Sequence, residues 1–216
     1  MSRFAQLVSL LALPAVAWGA GVTELLKAVE QRYNRARTLQ VLFSQTYTVQ
    51  GGRTTAESGE LFLRKPGRML WRYASPQGKI FASDGKFVYL YSPSANRVEK
   101  MSLRESEDMR APLGFLLGKL DFWRDFRKFT SRADGADVRV VADPKSGQLP
   151  YTKVEFVVTP RQEIRYLHVT GQDHSVMEFT FANEIVNPAL PETLFRFQPP
   201  PGAEIVDTSA GNGEAR

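Results

Sequence analysis

Cysteine is absent from the 216-residue chain, which excludes a disulfide framework, a thiolate zinc site and a lipid-attachment cysteine. Histidine is almost as scarce, with His168 and His174 alone. A zinc centre normally recruits further His or Cys ligands, so the two are read as half-exposed strand residues and no metal is expected. No glycines stand in a G-x-G-x-x-G or Walker arrangement between strand and helix, which leaves nucleotide binding without support. No G-x-S-x-G elbow accompanies Ser83-Asp84, and Asp84-Gly85 is more simply a hairpin turn. Charge is close to balance, with 28 Lys and Arg against 23 Asp and Glu for a net +5, and no basic tail. Arg64, Lys65, Arg68 and Arg72, interleaved with Trp71 and Tyr73, superficially resemble a nucleic-acid surface. Alternation in a strand accounts for them as a solvated face, so nucleic acid is not an expected partner. The expectation is a protein without catalytic residues or cofactors.

The one long apolar run is N-terminal. Arg3, an apolar core from Leu7 through Leu13 with Ala15 and Val16, and the site Ala15-Val16-Ala17 read as a secretory signal peptide. Cleavage is expected after Ala17, with Gly19 as the second choice; the run is shorter than the ~20 residues of a spanning helix. Residues 18–207 are then expected to form one domain, and residues 208–216, poor in apolar content, a disordered tail.

Over residues 22–38 the apolar positions Val22, Leu25, Leu26, Val29, Tyr33 and Ala36 recur every three or four residues, predicting an amphipathic helix with Thr23 as its N-cap. The period then changes to two. Strands are expected over residues 42–49, 59–63, 68–73, 79–82, 87–91 and 97–101, separated by Gly, Pro and Asp turns. Residues 110–119, with Pro112 at their start and Gly118 near their end, read as a short apolar helix carrying Leu113, Phe115, Leu116 and Leu117. Strands resume at residues 125–130, 138–142, 154–159, 163–170 and 175–185. Short gaps imply an antiparallel meander with one buried face.

The aromatic and apolar supply is large: Phe62, Met69, Trp71, Tyr73, Phe81, Phe87, Tyr89, Tyr91, Phe156, Phe179, Phe181, Phe195 and Phe197 all fall in or beside strands. These side chains either fill a tight core or, if the sheet curls with helices across its mouth, line a cavity. The pattern alone leaves both readings open.

Four stretches carry a resemblance. Residues 33–45, YNRARTLQVLFSQ, look like the helix exit and "x-L-x-A-x-F-x-Q" strand of the lipoprotein carrier family called LolA. Residues 59–71, GELFLRKPGRMLW, resemble its "G-x-L-x-x-K-R-P-x-x-x-x-W" hairpin. Pro76, Ser83-Asp84-Gly85-Lys86, Tyr91 and Pro93 match its next run, and residues 195–202, FRFQPPPG, its "F-x-F-x-P-P-x-G" ending. Together they span nearly all of the expected mature chain.

The resemblance implies a mainly β fold: an incomplete, unclosed antiparallel β-barrel with an N-terminal helix and short lid helices covering a hydrophobic cavity. It implies a monomeric periplasmic chaperone. Acylated lipoproteins are its cargo, an inner-membrane ABC-type lipoprotein-releasing complex its donor, and an outer-membrane receptor lipoprotein its acceptor. At ~0.8 kcal/mol per buried CH₂, a long acyl chain leaving a bilayer needs more than roughly 10 kcal/mol of shielding. Met69, Trp71, Phe87, Tyr89, Leu113, Phe115, Leu116 and Leu117 are the candidate lipid-binding residues. The family's lid latch is an arginine directly before the hairpin proline. Lys65 stands there in this chain and lacks the planar fork, with Arg68 the candidate substitute. Rival readings are a carrier of another lipid such as a glycolipid, a periplasmic lipid or lipoprotein sensor, and an envelope hydrolase using His168 or His174.

Overall fold

The computed structural model describes residues 18–103, 120–147 and 149–209. It opens with helix α1 (Trp18–Arg35), followed by strands β1 (Thr38–Thr48), β2 (Thr54–Arg64), β3 (Arg68–Ser75), β4 (Ile80–Asp84), β5 (Phe87–Ser92) and β6 (Arg97–Ser102). After residues 104–119 come the single-turn helix α2 (Phe122–Asp125) and strands β7 (Phe126–Asp134), β8 (Asp137–Pro144), β9 (Tyr151–Val158), β10 (Ile164–Gly171) and β11 (Val176–Val186). A 3₁₀ turn (Glu192–Phe195) and the short β12 (Glu204–Asp207) finish the fold.

These strands form a single sheet in the order β12-β6-β5-β4-β3-β2-β1-β11-β10-β9-β8-β7. Each pairing is antiparallel except β12 with β6, which is parallel. The sheet does not close, because β12 and β7 are its two edges. It must nevertheless curl. Leu90 on β5 and Tyr151 on β9 line one cavity, although seven strand steps separate their strands, about 34 Å across a flat sheet. The expected open antiparallel barrel is the observed architecture.

Register decides which side chains enter the concave face. Leu61 lies opposite Trp71, Trp71 opposite Phe81 and Phe81 opposite Leu90. Directly paired residues share a face, so this row points inward with Phe43, Phe156, Leu167 and Phe179 in one apolar core. Residues one step along the strands point outward. Phe62, Leu70 and Ala82 form a second cluster there, capped by Phe195 with Leu190, Leu194 and Phe197.

Helix α1 fills part of the concave side. Leu26 and Val29 are fully buried in the main core and Tyr33 nearly so, as their spacing predicted. The helix is already present at Trp18, four residues before the expected start at residue 22, so Thr23 lies inside it and is not its N-cap; Thr38 already belongs to β1. At the other end, Thr208 donates its backbone N–H to the Lys100 carbonyl (2.9 Å). Thr208 and Ser209 are the last described residues; residues 210–216 and the expected signal peptide, 1–17, lie outside them.

Gly59 marks a register shift between β2 and β3. A Cβ at this position would sit 2.1 Å from the Arg72 carbonyl oxygen, a contact no rotamer change relieves. Gly59→Ala is expected to cost about 1–3 kcal/mol, lowering Tm by roughly 2–12 °C for a domain of this size. A thermal melt followed by circular dichroism checks it, and an unchanged Tm would refute the close approach.

Candidate functional site: a cavity under the open sheet

A cavity of about 550 Å³ opens at one end of the curled sheet, within the ~300–1,000 Å³ range of small-ligand pockets. Trp71, Phe81 and Leu90 wall it from β3, β4 and β5; Val169, Met177 and Phe179 wall it from β10 and β11, with Tyr151 from β9. Phe43 meets Trp71 edge-on at 4.7 Å between centroids, and Phe179 lies 6.0 Å from the same indole. Gln45, Glu57, Lys79, Gln172, Asp173 and Ser175 form the polar part of the lining. The arrangement suits a molecule with an apolar body and a polar end.

Burial and the charge of Asp125 push the Tyr151 hydroxyl up to about 12, so it stays a neutral donor at physiological pH.

The end of the sheet away from the cavity is fastened to α1 by polar groups. Arg32 gives two hydrogen bonds to one oxygen of Glu184, at 3.1 and 2.6 Å. Tyr33 donates its hydroxyl to the other oxygen at 2.7 Å and accepts the Ile164 backbone N–H at 2.9 Å. Burial above all, then the Glu184 charge, pushes the Tyr33 phenol well above its ordinary range. Burial disfavours the Arg32 cation, but the bond and charge of Glu184 outweigh it and hold its pKa up. Asn34 clamps Leu120 in both directions, donating to its carbonyl at 2.8 Å and accepting its N–H at 2.7 Å. The Phe122 N–H goes to Glu30 at 2.7 Å. The chain leaving residues 104–119 is thus tied to α1.

The residues singled out from sequence fall in different places. Trp71 lines the cavity; Met69, 2% exposed, sits deeper in the same core. Phe87 and Tyr89 do not line it. Their hairpin register opposes Tyr89 to Ala82, an outer-cluster residue, so both rings face the convex side. There Tyr89 stacks on Phe197 at 5.2 Å and Lys100 sits 4.2 Å from the Phe87 ring centre. Leu113, Phe115, Leu116 and Leu117 lie outside the described residues.

Lys65 donates its ammonium to the Tyr33 carbonyl at 2.6 Å, a cation at the negative end of α1, although burial lowers its pKa. Arg68 faces outward and, with Arg64, holds Glu192 at 3.3 and 3.2 Å. His168 is on the outer face of β10 beside Glu178, and His174 occupies the β10–β11 turn at φ +62.

Sequence reasoning missed Phe81 and Leu90 as wall residues, and the Glu57–Lys79 pair entirely. Carrying the inward direction of Trp71 across two hairpins would have found the first two. Nothing local marks the ion pair, whose partners are 22 residues apart.

A family model described as "Outer membrane lipoprotein carrier protein LolA" matches residues 34–198. The outer-membrane lipoprotein carrier protein of Dechloromonas aromatica (strain RCB) is 26% identical over 196 residues, covering 90% of this chain and 91% of that protein. The protein of the same name from Pectobacterium carotovorum subsp. carotovorum (strain PC1) is 28% identical over 182 residues, covering 84% and 87%. Among solved structures, an uncharacterized conserved protein from Thermus thermophilus superposes with a TM-score of 0.55 at 10% identity, covering 87% of this chain and 99% of that one. That last likeness is one of fold.

The α1 anchor has a pH signature. A phenol near 10 when unfolded and well above that when folded contributes stability that is fully present below pH 10 and lost as pH rises through the folded value. Urea midpoints between pH 8 and 11 are expected to fall for the native chain above pH 10. Tyr33→Phe is expected to start lower and fall less steeply; equal slopes would show that Tyr33 is not the group responsible.

Proposed function

Because this chain belongs to the LolA family of outer-membrane lipoprotein carrier proteins, we propose that it shields the acyl chains of lipoproteins in the cavity under its open sheet during transit to the outer membrane. The cavity itself is the observation that carries the reading. It offers an apolar interior faced by Trp71, Phe81, Leu90 and Phe179 and a polar rim that includes Glu57 and Lys79. An acyl chain has no hydrogen-bonding groups along its length, so such a wall holds it by area and shape. The protein part of the cargo remains outside.

The periplasm is the compartment this reading requires. No described helix is long and apolar enough to cross a membrane. The inner-membrane ABC-type releasing complex and an outer-membrane receptor lipoprotein are the partners the reading supplies at either end of the transfer. Met69 supports the Trp71 wall from below. Lys65 supports the position of α1 rather than touching cargo, because its ammonium is committed to the Tyr33 carbonyl. The function is binding and release, with no bond made or broken.

The direct test is native mass spectrometry, with lipid extraction, of the mature protein recovered from the periplasm of its own host. One-to-one complexes with acylated lipoproteins are expected; a different bound lipid would overturn the lipoprotein reading. Two adjacent residues of β5 supply a sharper check. Leu90→Glu introduces a carboxylate into the apolar wall, where burying an unpaired charge is costly, and is expected to lower cargo recovery at least about tenfold. Tyr89→Ala, on the opposite face, is expected to leave recovery within about twofold. Equal effects at both positions would remove the cavity from the mechanism.

A further inference from the structure

The cavity carries more polar chemistry than an acyl chain uses. Lys79 lies at its mouth with its ammonium 2.5 Å from the Glu57 carboxylate and 4.5 Å from the centre of the Tyr73 ring. The two charged side chains are 21% and 18% exposed, so the pair is held mostly out of water, where its attraction is weakly screened. Asp173, also in the lining, accepts the Ser175 hydroxyl at 2.6 Å and the Ser175 backbone N–H at 3.0 Å. In the wall, Trp71 is 3% exposed, and its indole N–H is buried without a hydrogen-bond partner among the described residues. A buried donor left unpaired is costly and uncommon.

We propose that Trp71 and Lys79 form a subsite for the carbonyl of a neutral acyl linkage, the ester or amide that joins a fatty chain to its carrier molecule, and that Glu57 and Asp173 turn anionic lipids away. The inference rests on the acyl-binding function above and adds a specificity to it.

The chemistry follows from the groups present. An ester or amide carbonyl accepts hydrogen bonds and leaves its water behind on entering the cavity. The indole N–H is an unused donor. The Lys79 ammonium has three donors, of which the bond to Glu57 uses one. A carboxylate or phosphate diester meets a different field. Lys79 is the only cation among the described lining residues, against the two carboxylates of Glu57 and Asp173. The cation is already neutralised, and an entering anion adds a like charge to a negative rim. A neutral acyl linkage is accepted where a free fatty acid or acidic phospholipid of equal chain length is disfavoured. The apolar wall reads the chain, and the rim reads what the chain is attached to.

Three ten-carbon lipids separate these contributions: 1-decanoylglycerol, its ether analogue 1-decylglycerol, which lacks the carbonyl, and decanoate. Each is titrated at pH 7.5 against the mature protein loaded with the fluorescent probe N-phenyl-1-naphthylamine. The ester is expected to displace the probe about three- to tenfold more tightly than the ether, the range of one net hydrogen bond, and at least about tenfold more tightly than decanoate. Trp71→Phe is expected to bring the ester-to-ether ratio toward one, a ratio insensitive to any general loss of affinity or folded fraction. Glu57→Gln, at the rim, is expected to narrow the ester-to-decanoate ratio at least about threefold. Equal displacement by ester and ether in the native protein, or ratios unmoved by both substitutions, would overturn the subsite while leaving the acyl cavity in place. Failure of all three lipids to displace the probe would overturn the acyl cavity, and this inference with it.

Discussion

A sheet that curls without closing must have its concave face covered by something other than itself, and most of this molecule answers that constraint. The two edges, β12 and β7, do not pair, so no interlocking of strands shuts the interior. Helix α1 lays Leu26, Val29 and Tyr33 into the concave core. At about 25 cal/mol per Å² of apolar surface removed from water, this burial is the main reason the helix stays where it is. Among the described residues the helix covers only part of the face, and the cavity lies in the remainder. A fully packed interior would be more stable and would hold nothing.

Because hydrophobic attraction has no direction, something else must set where along the sheet the helix sits. Hydrogen-bonded groups do so. The Arg32–Glu184–Tyr33 network ties α1 to β11 and, through the Ile164 N–H, to β10, while Lys65 holds the helix end from the β2–β3 turn. Buried polar groups of this kind are costly unless every partner is present, which makes them intolerant of a shifted helix. The apolar contacts supply attraction and the polar ones supply register.

The convex face solves a smaller version of the same problem. Phe62, Leu70 and Ala82 would be exposed were the chain to end after β11. The segment after β11 lays Phe195, 2% exposed, over them and is pinned by Glu192 between Arg64 and Arg68. The chain then returns to the sheet as β12 beside β6, covering part of an edge that would otherwise present unpaired backbone groups. Arg68 serves this outer fastening.

Much of this was legible in the sequence. The spacing of Leu26, Val29 and Tyr33 determined an amphipathic helix, and alternation with Gly and Pro turns determined a long antiparallel meander, because both patterns express the local geometry of the backbone. Four motifs in order indicated the family. What alternation cannot do is say which of two faces is concave. Phe87 and Tyr89 form as good an aromatic stripe as Phe81 and Leu90 with Trp71, and only the pairing of Ala82 with Tyr89 and of Phe81 with Leu90 assigns them to opposite sides. The helix start was also hidden, since Thr23 resembles a cap while the turn before it continues the helix. The sequence by itself determined the elements, their order and the kind of surface each would bury. The tertiary structure alone decided which stripe walls the cavity, that Glu57 meets Lys79 at its mouth, and that Lys65 turns to the Tyr33 carbonyl. Those facts depend on strand register and on contacts between residues far apart in the chain, which no local pattern encodes.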